Sequence, residues 1–331
     1  MGGIPARSGR PRHRPAHPLG RPDRHRPVRR PHRGGDPARA KEAVHVLLTV
    51  LAAVLGRLPR APAAWLGRRL GDVLWTVLPG RRRRALDNLA HAFPELGEAE
   101  RRRLARASFR HLGLLLVESF ALLARSLDDV LSSVRLEGAE HLDAAVQKHG
   151  RALLLTAHLG NWELLPAASR LTSHALTVVV RPLDARWLNR LAEALRRKAG
   201  IELIDKRAAL RPVLGALARG RLVGILMDQN ASRREGVFVP FFGRPASTSR
   251  AMAVLALRTG APVLPIFTRR EADGTHRVVV HPPIEPAGEV PKDQAVTVLT
   301  ARYTAAIEAA IRQTPDQWLW MHARWRTRPA R

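Results

Sequence analysis

The stretch ALLLTAHLGNWE, residues 152–163, begins as a strand and ends in polar side chains around a glycine. Ala152–Thr156 shows no polar alternation, so it reads as a strand covered on both faces, as in a parallel sheet between helical layers. Gly160 and Asn161 then make a turn, with Asn161 a good helix N-cap, and Trp162–Leu171 reads as the helix that follows. On either side the same alternation recurs. Val134–Glu137, Leu176–Val180, Leu222–Met227, Pro262–Phe267 and Val278–Val280 read as strands. Gly138–His149, Ala185–Ala199, Thr248–Arg258 and Gln294–Ile311 read as helices, and residues 98–125 as one long helix. The fold class is therefore α/β, a largely parallel sheet flanked by helices.

In such sheets ligands sit beyond the carboxyl ends of the strands. His158 and Glu163 follow the first strand quoted, Arg181 follows Leu176–Val180, and Asp228 and Gln229 follow Leu222–Met227. On one continuous helix, five residues at about 100° each would turn His158 and Glu163 about 140° apart. They meet only if His158 lies on the turn at the strand end and Glu163 on the next helix. Glu163 would then hold one imidazole nitrogen and leave the other as a base. The plainer reading is a histidine at the rim of the sheet and a glutamate answering a helix dipole. Backbone amides near Gly160 and Asn161 are candidate oxyanion donors.

The basic excess is large and uneven. Lys and Arg number 56 against 28 Asp and Glu, a net charge of +28 over 331 residues. Residues 1–41 hold 11 Arg, one Lys and eight Pro against two Asp, a net +10, with too little apolar surface to offset the entropy of ordering. They read as a disordered arm: a solvated tail, translation from an upstream start codon, or a basic arm for anionic lipid or nucleic acid. The body keeps +18, which suits a phosphate-bearing partner or an acidic carrier protein.

Residues 43–56 are an apolar run of 14, shorter than the roughly 20 that a spanning helix needs, and read as a marginal single span or an interfacial helix. Ala63–Leu78 carries Trp65 and Trp75 but is broken by Arg68, Arg69 and Asp72, and Arg81–Arg84 follow at once. Residues 42–80 therefore read as a membrane-associating helical segment beside an anionic leaflet. The other reading is a pair of buried helices with a solvated arginine corner. At the other end, Trp318, Trp320 and Trp325 lie beside His322, Arg324, Arg326 and Arg328. They read either as an interfacial aromatic–basic patch or as packing with a solvated arginine edge.

Several classes are excluded. The chain has no cysteine, so no disulfide framework, thiolate metal site or cysteine nucleophile is possible. No HExxH, GxSxG, P-loop or strand-linked GxGxxG occurs. No metal and no cofactor is expected. Charge alone permits a nucleic-acid-binding protein, but no helix-turn-helix, RNP-like or zinc signature accompanies it.

TAHLGNWE at 156–163 resembles the His-x4-acid motif of the lysophospholipid acyltransferase superfamily. The surrounding segments resemble one branch, the bacterial lipid A late acyltransferases. They are RRRRALDNL at 81–89 with AFP at 92–94, VRP at 180–182, MDQ at 227–229 with GVFVPFFGRPAST at 236–248, and QWLWMHARWRTRP at 317–329. The resemblance implies a glycerol-phosphate-acyltransferase-like fold at residues 81–331, behind the arm at 1–41 and the helices at 42–80. It implies transfer of an acyl group from acyl carrier protein to a hydroxyl of a lipid A precursor. In that reading His158 is the general base, Glu163 orients it, and Asn161, Arg181, Arg196, Asp228 and Gln229 bind substrate. It also implies the cytoplasmic face of the inner membrane. A different glycolipid acceptor, such as a phosphatidylinositol mannoside, is the alternative.

Overall fold

The computed structural model describes residues 49–181, 186–284 and 290–329. The arm at 1–41 and residues 43–48 of the apolar run lie outside them. The strands are β1 Val134–Glu137, β2 Ala152–Thr156, β3 Leu176–Val180, β4 Glu202–Asp205, β5 Leu222–Leu226, β6 Gly236–Phe241, β7 Arg244–Ser249, β8 Val263–Arg270 and β9 His276–Val280. The helices are α1 Arg60–Val77, α2 Pro79–Ala92, α3 Glu98–Ala124, α4 Leu127–Leu131, α5 Ala139–His149, α6 Leu165–Ala168, α7 Arg186–Lys198, α8 Leu210–Ala218, α9 Ala251–Thr259 and α10 Lys292–Gln313. By its contacts the chain divides after Glu42, and all of these elements belong to the second unit.

Seven strands form one sheet in the order β1-β9-β8-β2-β5-β3-β4, and β6 and β7 form a separate hairpin. Every pairing in the large sheet is parallel except β8 with β9. The central β2 is buried along its whole length, as its unbroken apolar run requires. Leu153 and Leu155 point into a large core with Leu89 of α2, Phe109 of α3, Leu217 of α8, Met252 of α9 and Tyr303 of α10. Ala152 and Leu154 point the other way, onto Leu142 and Ala145 of α5. Alternation of side chains along a strand divides them between these two layers.

Some segments differ from the sequence reading. β4 and α8 are not legible as elements, because a four-residue edge strand with charged ends and a nine-residue helix containing Pro212 and Gly215 carry weak patterns. Thr248, expected in a helix, lies in β7 opposite Val237, and the helix begins only at Ala251. β8 runs on to Arg270 because its charged end pairs with β9.

α1 lies directly on α3. A Cβ at Gly71 would stand 2.3 Å from the Arg110 Cα, and one at Gly113 would stand 2.1 Å from the Gly67 carbonyl oxygen. The two backbones touch where only glycine fits. Asp72 of α1 receives Arg106 at 2.8 Å and Arg110 at 2.9 Å from α3. Hydrogen bonds from these guanidiniums hold its carboxyl below the usual range. Residues 49–57 are helical and bury Ala52 and Leu55 against Val117 and Phe120 of α3. The outer face stays apolar: Trp65, Leu66, Val73 and Val77 are exposed. The N-terminal helices are thus core on one side and greasy surface on the other.

Candidate active site

β2 and β5 pair with a constant offset of 70 residues, from Ala152 opposite Leu222 to Thr156 opposite Leu226. His158 and Asp228 each lie two residues past those strand ends, so the same register carries them side by side at the carboxyl rim of the sheet. The His158 ring Nδ1 is 2.8 Å from Asp228 Oδ1, and the His158 backbone N–H donates to Oδ2 at 3.0 Å. The Trp318 indole N–H donates to the same Oδ2 at 2.8 Å. Asp228 is only 2% exposed. Burial alone would raise its carboxyl, but His158 and the Trp318 donor bring it down to about 2. The carboxylate is therefore ionised and can only accept, which sets the proton of a neutral imidazole on Nδ1 and leaves the Nε2 lone pair for chemistry.

Two further groups hold the ring. Trp162 packs edge to face against it, with centroids 5.0 Å apart. The Gln229 amide nitrogen is 3.3 Å from Nε2 and 3.5 Å from Nδ1. Near-equal distances to both nitrogens place it over the ring face, not along either lone pair.

Glu163 does not hold the imidazole. It sits on the 3-10 turn Trp162–Leu164, which with the four-residue α6 and a second 3-10 turn takes the place of the single helix expected over Trp162–Leu171, and its carboxylate is gripped by Arg196 of α7. The Arg196 Nη2 donates to Oε1 at 2.7 Å and Nε to Oε2 at 3.2 Å. A tight turn separates His158 and Glu163. Gly160 has φ +59°, and a Cβ there would meet the Thr268 carbonyl oxygen at 2.2 Å, so only glycine fits. Glu163 was expected to hold the imidazole; in the structure the carboxylate that meets the His158 ring is that of Asp228, and Glu163 makes a second, separate pair.

The remaining candidates also divide. Asn161 begins the turn but does not cap it; its amide donates to Glu118 of α3 at 2.9 Å. The Gly160 N–H, a candidate oxyanion donor, is engaged by the Gln317 carbonyl at 3.1 Å. Arg181 is exposed at the end of β3, beyond β5 from β2. Gln229 joins His158, and Arg196 joins Glu163. Behind the turn, Glu118 pairs with Arg270 and approaches His276. Burial pushes His111 down to about 4 and His276 down to about 3, so both rings are neutral at physiological pH.

The C-terminal aromatic–basic segment is not an interfacial patch. Trp318, Trp320 and Arg324 are among the most buried side chains of the protein. Arg324 donates to the Ser247 carbonyl and the Thr248 hydroxyl and lies 4.8 Å over the Phe241 ring. An arginine fits there because its planar guanidinium stacks on the ring while its N–H groups reach strand β7. Sequence reasoning missed Trp318 and Glu118 as site residues. The motif QWLW did carry a signal, since an indole N–H must find an acceptor when it is buried.

Beside the rim runs a narrow apolar cleft of about 720 Å³, counted with its mouth. Its floor is the β2, β3 and β5 face, with Leu154, Val178 and Leu226, and Trp162, Glu163 and Arg196 line it as well. Gly224 lies in that floor. Trp162 thus touches both the cleft and the imidazole.

With this geometry in view, comparison with known proteins is informative. A family model described as bacterial lipid A biosynthesis acyltransferase matches residues 38–327. The chain is 28% identical over 275 residues to the lipid A biosynthesis palmitoleoyltransferase of Escherichia coli K12, covering 82% of this chain and 88% of that protein. It is 29% identical over 267 residues to the lauroyltransferase of the same strain, covering 80% and 85%. A phosphatidylinositol mannoside acyltransferase of Mycobacterium tuberculosis H37Rv is 32% identical over 202 residues, covering 60% and 62%.

Proposed function

Because this chain belongs to the bacterial lipid A biosynthesis acyltransferase family, we propose that it moves a fatty acyl group from an acyl carrier protein thioester to a hydroxyl of a lipid A precursor, with His158 as general base and Asp228 as the carboxylate that orients it. The observation that carries this is the buried Asp228 carboxylate 2.8 Å from Nδ1, which leaves Nε2 to accept a proton. Nε2 takes the hydroxyl proton as the oxygen attacks the thioester carbonyl. A C–O bond forms, the C–S bond breaks, and the leaving thiolate takes the proton back from the imidazolium. Asp228 stabilises that imidazolium while it exists. General base catalysis of this kind is worth about 10²–10⁴-fold.

The apolar cleft takes the acyl chain, and Trp162 sets its reactive end beside His158. Binding along such a cleft is non-directional and grows with apolar area buried. The exposed face of α1 takes the membrane. At 100° per residue Leu66, Val73 and Val77 fall within about 40° of one another, with Trp65 beside them stacked under Arg69 at 5.7 Å. An apolar stripe with an aromatic and arginines suits an anionic, cytoplasmic leaflet. The N-terminal arm adds basic charge to the same attraction.

A phosphatidylinositol mannoside acceptor is the second reading, favoured by the higher identity of that relative over a shorter span. The deciding assay offers the purified full-length protein labelled acyl carrier protein or acyl coenzyme A, with a lipid A precursor or a mannolipid, and weighs the products by mass spectrometry. Acylated lipid A precursor from the carrier-protein donor is expected. Near-normal turnover by His158→Ala would remove the mechanism.

A further inference from the structure

The segment after α10 crosses the carboxyl ends of both β2 and β5 and bonds to each loop of the pair. On the His158 side, the Leu319 N–H donates to the His158 carbonyl at 3.3 Å, and the Gly160 N–H donates to the Gln317 carbonyl at 3.1 Å. On the Asp228 side, the Asn230 N–H donates to His322 Nε2 at 3.0 Å. Asn230 also donates to the Thr327 hydroxyl at 3.0 Å and accepts from the Thr327 N–H at 3.0 Å. Between these anchors stands Trp318, 2% exposed, with its indole N–H on Asp228 Oδ2 at 2.8 Å.

We infer that residues 317–327 form a strap that fixes the spacing of the two loops, and that Trp318 is a positioning residue for the acyl transfer reaction. The inference rests on the proposed roles of His158 and Asp228. The geometry gives the reason. A carboxylate can rotate about its bond to the chain, and either oxygen can meet the imidazole. Two donors on Oδ2, the His158 amide and the Trp318 indole, tie that oxygen down and leave Oδ1 alone facing Nδ1. The indole also competes for carboxylate charge, so it tempers how strongly Asp228 favours the imidazolium. His322 keeps its accepting nitrogen because burial pushes the ring down to about 4.

Trp320 supplies an internal control. It is as buried as Trp318, but its N–H donates to the Pro315 carbonyl at 2.6 Å, just ahead of the strap and away from Asp228. Trp318→Phe and Trp320→Phe remove the same atoms from the same core. For Trp318→Phe, kcat should fall about 10- to 100-fold, the worth of one hydrogen bond to a charged group, with KM for donor and acceptor unchanged. The acid limb of its pH–kcat profile should move to higher pH, because an Asp228 relieved of one donor holds the imidazolium more firmly. Trp320→Phe should lose comparable thermal stability and leave that limb in place.

If both variants change kcat and the limb alike, the inference is overturned and Trp318 is packing only. Should Trp318→Phe fail to fold, His322→Phe removes the acceptor for the Asn230 N–H at a half-buried position. A fall in kcat of about 2- to 10-fold at constant KM then supports the strap, and an unchanged kcat overturns it. His158→Ala separates the two levels. If it retains turnover, the proposed base is wrong, whereas an inactive His158→Ala beside a Trp318→Phe that matches Trp320→Phe rejects the strap alone.

Discussion

Two part-buried ion pairs flank Trp162, and they differ in what each leaves unsatisfied. In the Glu163–Arg196 pair both carboxylate oxygens accept from one guanidinium, with side chains 11% and 13% exposed. Each group is occupied by the other. In the His158–Asp228 pair the carboxylate is saturated by three donors, but the imidazole uses only one ring nitrogen on it. The second nitrogen meets no carboxylate; the Gln229 amide nitrogen lies 3.3 Å from it, and the side chain is 20% exposed. On the proposed mechanism, what sets the two pairs apart is the ring nitrogen left over, not burial or charge.

The sharpest test sets the two carboxylates against each other. Asp228→Asn should reduce kcat about 10³- to 10⁴-fold in the steady-state transfer assay, because an amide can present the wrong group to Nδ1 and cannot stabilise an imidazolium. Glu163→Gln, which keeps a hydrogen-bond partner for Arg196, should cost less than about tenfold. Equal losses would erase the distinction between the pairs. Stability should show the converse. Arg196→Met strands the Glu163 carboxylate and should cost about 3–5 kcal/mol in chemical denaturation, while Glu163→Leu with Arg196→Met should recover most of that. A double variant no more stable than the single one would mean that Arg196 matters for something other than neutralising Glu163.

The smallest effect concerns the cleft that Glu163 and Arg196 line. A Cβ at Gly224 would meet the Val178 side chain at an ordinary 3.7 Å, so a side chain can be added there, and it would project into the cleft. Gly224→Leu should shift preference toward shorter acyl chains, by about 10-fold or more between adjacent even lengths, with little change on the best chain. An unaltered chain-length profile would show that the cleft does not hold the donor.

Much of the fold was legible before any coordinates. The limits of β2 and β3 match the sequence reading to the residue because short, unbroken apolar runs between turn residues have few other interpretations. β4 escaped notice because an edge strand need not be apolar on both faces. At the site, the turn at Gly160, the place of His158 beyond β2 and that of Asp228 beyond β5 were all readable. The contact partner of His158 was not: in the structure it is Asp228, and Glu163 pairs with Arg196. Proximity in sequence favoured Glu163, five residues away, over Asp228, seventy residues away.

The C-terminus teaches the same lesson from the other side. Its tryptophans and arginines spell a membrane-facing pattern by composition, yet Arg324 is fully buried and Trp318 points at a carboxylate. Composition reports what a side chain tolerates, and amphipathic residues tolerate both interior and interface. By itself, the sequence determined most strands of the large sheet, their order along the chain and the polar residues at their ends, because those depend on local patterns of burial and turning. Only the tertiary structure decided which carboxylate meets the imidazole and which tryptophan steadies it. Hydrogen bonds near 2.8 Å depend on the register between strands and on where a distant segment crosses them, and neither is written in any contiguous run of residues.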